Sequence, residues 1–228
     1  MNTCWRHTKP DSPPPMTSIT TAARPVSRSA FIRICFTAFL LFSGMPAAAQ
    51  AQAWSLDALL HGFARVGEST AHYTETRQSG FVDVPLITEG TLVYRAPDYL
   101  AKHDAGGGSG YTVQGDSVEA LGPQGRKRSL RLDNYPTLAA FIAALRATLA
   151  GDGKTLHAYF KTRLKGDRAH WTLELTPADA GLANYVSAIT LKGSGIRLDE
   201  VEMQEVGGDT SVLKLSHQVL HERPASAG

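Results

Sequence analysis

The chain has 228 residues, 43% of them hydrophobic and 19% charged, ordinary values for a globular protein of one or two domains. Its 23 Lys and Arg outnumber its 21 Asp and Glu, but the surplus lies in residues 1–53, where Arg6, Lys9, Arg24, Arg28 and Arg33 face Asp11 alone; the remainder carries 18 against 20. A faintly acidic chain whose densest basic run is Gly125-Arg126-Lys127-Arg128 argues against nucleic acid as a partner.

Ala30 to Met45 is almost continuously apolar, follows Arg24 and Arg28, and leads to small residues at Ala51 and Ala53. A basic start, an apolar run too short for a comfortable membrane span and small residues at the end predict a secretory signal peptide cut before Trp54, or after Ala49. The alternative is an uncleaved anchor. The Pro-rich residues 1–15 precede Met16, which is the expected true start. Cys4 and Cys35 both lie before the cut, so the exported chain is expected to have no disulfide.

Ser55 is placed to cap a helix in which Leu56, Leu59, Leu60, Phe63 and Val66 recur at helical spacing. From Thr70 the period changes to two, predicting strands at 70–79, 85–95, 98–104, 110–115, 117–122 and 126–132. The turns at Gln114-Gly115-Asp116 and Pro123-Gln124-Gly125 are short enough only for antiparallel connections. The run Pro136 to Gly151 then reads as a helix, with Pro at its start and Gly just past its end. Strands resume at 158–165, 169–176, 186–192, 195–205 and 210–218, and the last ten residues read as a frayed tail.

About eleven antiparallel strands are too many for a flat sheet. The expected fold is mainly β, a strongly curved, incompletely closed antiparallel barrel with two or three helices against its concave side: one domain over 54–218, a leader over 1–53 and a flexible tail over 219–228.

No catalytic constellation emerges. Gly153-Lys154-Thr155 has Thr148 where a phosphate loop needs Gly, and reads as a helix-ending turn. The glycines at 106–108 and 110 read as a hairpin tip. His217 and His221 stand four apart on a segment with strand period, which removes the ligand geometry of a helix pair. Asp199, Glu200, Glu202 and Glu205 alternate with Val201 and Met203 and read as a solvated face. Trp171 is either a core aromatic or a ligand platform. No cofactor or metal is expected.

The second helix stands out. Leu138, Phe141, Ile142, Leu145 and Leu149 form one stripe, and Ala139, Ala140, Ala143, Ala144 and Ala147 fill most of the remaining circumference. A helix apolar all round must be buried all round, yet a single curved sheet covers one side of it. Either the first helix packs against the other side, or helix and sheet enclose an apolar cavity that can open.

In its order of features the chain resembles the LolA family of periplasmic outer-membrane lipoprotein carriers. The shared order is a signal peptide, an amphipathic helix, GTLVYRAPDYL at 90–100, YTVQGDSVEALG at 111–122, the apolar helical insert, HWTLELTP at 170–177 and a meander closing on EVGGDTSVLKL at 205–215. It is more similar to the divergent LolA-related branch than to the main carrier, and the likeness covers about Trp54 to His217. The resemblance implies a monomeric periplasmic carrier, not an enzyme, with an apolar interior under a helical lid. Such a carrier shields acyl chains of lipoproteins between an inner-membrane donor complex and an outer-membrane acceptor. The physical need is plain, since each methylene kept from water is worth about 0.8 kcal/mol.

The lid contacts expected on this reading are Leu138, Phe141, Ile142 and Leu145. Leu92, Val93, Tyr94, Trp171, Leu173 and Leu175 are cavity candidates, although Val93 and its neighbours cannot all face inward. In the main family an Arg directly before the Pro holds the lid closed; here the order is Arg95-Ala96-Pro97. The one-residue offset turns Arg95, the candidate gate, to the other face unless a bulge restores its aim. It also opens the cargo to other lipids, such as a polyene or glycolipid precursor. Two other classes compete. A secreted acyl-handling hydrolase would draw on Ser109, Ser117 or Ser129 with His103 or His170. An envelope scaffold would have a filled core where a carrier has a continuous apolar cavity above about 300 Å³.

Overall fold

Period-two alternation becomes eleven antiparallel strands in a computed structural model that describes residues 54–122 and 125–223. The expected signal peptide, the start at Met16, the turn at Pro123-Gln124 and residues 224–228 lie outside the described residues. Helix α1 (Leu56–Phe63) opens on Ser55, whose hydroxyl accepts from the Ala58 amide at 3.2 Å. Strands β1 (Val66–Ser79), β2 (Val82–Arg95), β3 (Tyr99–Asp104), β4 (Gly110–Gln114), β5 (Ser117–Leu121) and β6 (Lys127–Arg131) form the first meander. Helices α2 (Pro136–Ala150) and α3 (Gly153–Tyr159) follow. The second meander is β7 (Phe160–Gly166), β8 (Trp171–Pro177), β9 (Val186–Ser194), β10 (Arg197–Glu205) and β11 (Thr210–Glu222), with a one-turn helix α4 (Ala180–Ala183) before β9.

The strand order is β6-β5-β4-β3-β2-β1-β11-β10-β9-β8-β7. The first and last strands thus pair at the centre, while β6 and β7 are the two outer edges, unbonded to each other. The chain passes from one edge to the other through α2 and α3, so the helices span the gap that hydrogen bonds leave open. This is the curved, unclosed sheet expected from the sequence.

Several boundaries differ from the sequence reading by a few residues, and three of the differences matter to the fold. β1 begins at Val66 instead of Thr70, and β11 runs to Glu222 instead of ending at 218: Ser69 pairs with Leu220 and Val66 with Glu222. Residues 219–222 are therefore strand, not tail, because β1 supplies the neighbour that local pattern does not show. Gly153-Lys154-Thr155 opens α3 instead of merely ending α2. Asp152 caps it, accepting from the Thr155 amide at 2.9 Å, and the helix takes residues 158 and 159 from the expected strand. The turn before it requires Gly151: φ is +70°, and a Cβ there would lie 2.4 Å from the Leu60 carbonyl oxygen of α1.

The concave face is solid at one end. Phe63 of α1 meets the Trp171 ring edge-on at 5.9 Å, and both belong to one buried core with Leu145, Leu149, Leu173, Leu175, Ile189 and Leu191. Trp171 also fixes the sheet beneath it, because a Cβ on Gly193 would come within 2.4 Å of the indole, whose Nε1 donates to the Gly195 carbonyl at 3.1 Å.

Candidate ligand cavity

Helix α2 has no exposed residue over its whole length. Its C-terminal half lies in the solid end of the core, and its N-terminal half stands off the sheet over a cavity of about 430 Å³. Leu138 and Phe141 form the helical wall; Tyr111 of β4, Met203 of β10 and Leu213 of β11 face them from the sheet. On its other side α2 borders an outer groove of about 580 Å³, where Ala139, Ala143 and Ala150 meet Tyr159 of α3 and Leu182 of α4. A helix apolar all round thus separates two hollows, with α1, α3 and α4 covering it in part.

The cavity floor is charged. Ala71, Tyr73, Glu75 and Arg77 follow one another at spacing two on β1, and Leu100, Lys102 and Asp104 do so on β3, so both rows turn from apolar to ionic at the same end of the sheet. Lys102 Nζ lies 3.0 Å from Glu75 Oε2 and 3.3 Å from Asp104 Oδ1, with side chains only 11%, 8% and 23% exposed. It also sits 4.3 Å from the centroid of the Tyr73 ring. Glu75 Oε1 accepts from Arg77 Nε at 2.8 Å and from Ser211 Oγ at 2.7 Å. The hydroxyls of Tyr73 and Ser109 both donate to Asp104.

Burial by itself would lower the Lys102 pKa, but the hydrogen bond to Tyr73 and the Glu75 carboxylate outweigh it and hold the ammonium above the ordinary lysine range. Burial likewise works to raise Glu75, and the donors Arg77 and Ser211 reverse it to a net depression. Asp104 is depressed against burial by Ser109, Tyr73 and Lys102. Desolvation foremost pushes the Tyr111 hydroxyl upward. Lys102 is paired with Glu75 and Asp104, and Arg77 with Glu75, so the cavity is amphipathic, with an apolar roof and an ionic base, not the wholly apolar interior that the resemblance implies.

The structure separates the sequence-predicted site residues. Leu138 and Phe141 line the cavity; Ile142 lines the outer groove. Leu145, Trp171, Leu173 and Leu175 are buried in the solid core. Leu92 and Tyr94 point inward but border only a crevice of about 20 Å³ beside Phe63 and Leu149. Val93 faces the opposite side of the sheet from them and is no cavity residue.

Arg95 also lies on that outer side. It pairs with Glu68 at 3.0 Å and stands over the Tyr99 ring, so no bulge returns it to the lid. The arginine that ties helix to sheet is Arg146 of α2: Nη1 donates to the Gly115 carbonyl at 2.7 Å, and Nη2 lies 3.7 Å from Asp98 Oδ2. The hydrolase candidates are dispersed. Ser109 gives its hydroxyl to Asp104, while Ser117, Ser129, His103 and His170 are exposed on β5, β6, β3 and the β7–β8 turn.

The family described as outer membrane lipoprotein carrier protein LolA-like matches residues 48–217. The chain belongs to this family. No curated protein matches the sequence of this LolA-like chain. Solved structures similar to it include a LolA superfamily protein from Nitrosomonas europaea, at 13% identity and a TM-score of 0.40, covering 75% of this chain and 96% of that one. Another is a putative outer membrane lipoprotein-sorting protein domain from Vibrio parahaemolyticus, at 11% identity, a TM-score of 0.40 and coverage of 73% and 92%. A third is the lipoprotein LppX of Mycobacterium tuberculosis, at 12%, 0.39, and 71% and 91%.

Sequence reasoning did not single out Tyr111, Glu75, Lys102, Met203 or Leu213 as site residues. The signal available was the shared parity of Tyr73 with Glu75 and of Leu100 with Lys102, which puts charge on the inward rows of this LolA-like sheet.

Proposed function

We propose that the protein is a non-enzymatic, periplasmic lipid carrier that holds an acyl chain of a lipoprotein or another lipid in the cavity beneath the N-terminal half of α2. The observation that carries this reading is the cavity itself: about 430 Å³, within the range of ligand pockets, and roofed by Leu138 and Phe141 of α2. A filled scaffold would have no reason to leave that half of an apolar helix standing off the sheet. The ionic floor suits an amphipathic cargo, its chain against α2 and its polar part toward Glu75 and Lys102. Family membership supports extending this proposal to transfer between an inner-membrane donor and an outer-membrane acceptor.

Uptake of a fluorescent fatty acid tests it. The wild type should show saturable, stoichiometric enhancement, and Phe141→Glu, at a half-buried position, should weaken it at least about tenfold while the circular dichroism spectrum stays unchanged. Equal uptake by wild type and variant, or none by the wild type with any lipid offered, would sink the proposal. Leu145→Glu is unsuited to this test, because Leu145 is wholly buried and the variant would unfold.

A further inference from the structure

Four large apolar side chains stand in solvent at one place: Phe81, Val84, Leu86 and Ile87 are 91%, 76%, 61% and 59% exposed. They occupy the turn between β1 and β2 and the start of β2. The topology explains why nothing covers them. β3 pairs with β2 only from Gly90 to Arg95, so among the described residues the stretch of β2 before Glu89 has β1 as its one paired strand. Between the pairs Arg77 with Leu86 and Ser79 with Val82, β2 has three residues where β1 has one, and this bulge contains Pro85. A bulge with Pro is poorly suited to pairing with a further strand.

The tip is also held in place. Ser79 Oγ and the Gly80 amide donate to Asp209 Oδ1 at 3.0 and 2.9 Å, tying the hairpin to the turn between β10 and β11. Leu86 lies opposite Arg77, which lines the cavity, so the exposed apolar cluster begins where the cavity ends. The nearby charges, Arg77, Asp83 and Asp209, include no excess of cations.

We propose that this hairpin tip is a bilayer-docking surface, with Phe81, Val84, Leu86 and Ile87 entering the interfacial region of a lipid membrane and bringing the cavity to the membrane surface. Four side chains on a narrow ribbon are too few for a standard protein–protein interface of about 1,200 Å² or more, whereas a Phe-tipped wedge suits a deformable apolar layer. Without a cationic collar the attachment is hydrophobic and does not require anionic lipid. The docking surface stands whether or not the cavity holds a lipid.

Flotation of the purified chain with neutral dioleoylphosphatidylcholine vesicles tests this. The wild type should float with the vesicles equally at low and high salt. The double variant Phe81→Ser, Leu86→Ser should bind at least about tenfold more weakly, and Val219→Ser, at an exposed site near the other end of the central strand pair, should bind as the wild type does. Both altered positions are exposed, so an unchanged circular dichroism spectrum is expected. Fatty-acid uptake from solution should also be unchanged, which separates failure of docking from failure of the cavity. A wild type that stays with the soluble fraction, that floats only with anionic vesicles at low salt, or that floats no better than the double variant would overturn the proposal. A tip needed for a protein partner would show as the first of these.

Discussion

The Lys102 ammonium lies 3.0 Å from the Glu75 carboxylate on the cavity floor, and neither side chain has more than a tenth or so of its surface in water. Removing one partner of such a pair leaves a charge in a poor solvent, which typically costs about 3–5 kcal/mol. Arg77 and Ser211 still hold Glu75 when the lysine is gone, so Lys102→Met is expected at or just below the lower end of that range. Lys102→Met with Glu75→Gln should recover part of the loss, and urea midpoints across the double-mutant cycle measure it.

Glu75 and Asp104 both have folded-state pKa values below their ordinary ones. A depressed carboxylate stabilises the fold above its unfolded pKa, and that contribution disappears as pH falls through the folded value. Stability is therefore expected to be flat above about pH 5 and to decline below about pH 4. Glu75→Gln should flatten that acid limb while lowering stability at neutral pH. An equally steep limb in the variant would assign the acid response to other groups.

Arg146 and Arg95 should separate cleanly. Arg146 fastens α2 to the Gly115 carbonyl and to Asp98, whereas Arg95 lies outside with Glu68. Arg146→Ala is expected to raise amide hydrogen exchange along α2 several-fold and to speed fatty-acid uptake. Arg95→Ala should leave both unchanged, because an exposed ion pair is worth about 0–1 kcal/mol.

Trp171 serves the solid end and not the cavity. Trp171→Ala removes the indole that meets Phe63 and lies over Gly193, and should cost about 3–5 kcal/mol. Below its lowered melting temperature the variant should still bind fatty acid with wild-type stoichiometry. Loss of binding in the folded variant would restore Trp171 to the site.

The strand count and the open, curved sheet were legible because half-burial imposes period two on each strand. The ends were less legible: residues 219–222 become strand only because Val66 to Thr70 lie beside them, a long-range fact with no local mark. α3 was hidden by its length and its glycine start, although Asp152 is an ordinary cap. At the site, Leu138 and Phe141 were found through the apolar stripe of α2. Leu145, Leu173 and Leu175 belong to the same kind of pattern and yet fill the core, since hydrophobicity marks what is buried and not where packing stops. Arg95 and Val93 followed the parity of their strand to the outer face, as the offset from Pro97 allowed.

The most direct measurement is photocrosslinking of a diazirine-bearing fatty acid to the protein, with the labelled residues read by mass spectrometry. If the cavity beneath α2 is the cargo site, the label should fall on Leu138, Phe141, Tyr111, Met203 and Leu213 and be competed away by unlabelled lipid. Label concentrated in the outer groove at Ala143, Tyr159 and Leu182, or scattered over the surface without competition, would contradict it.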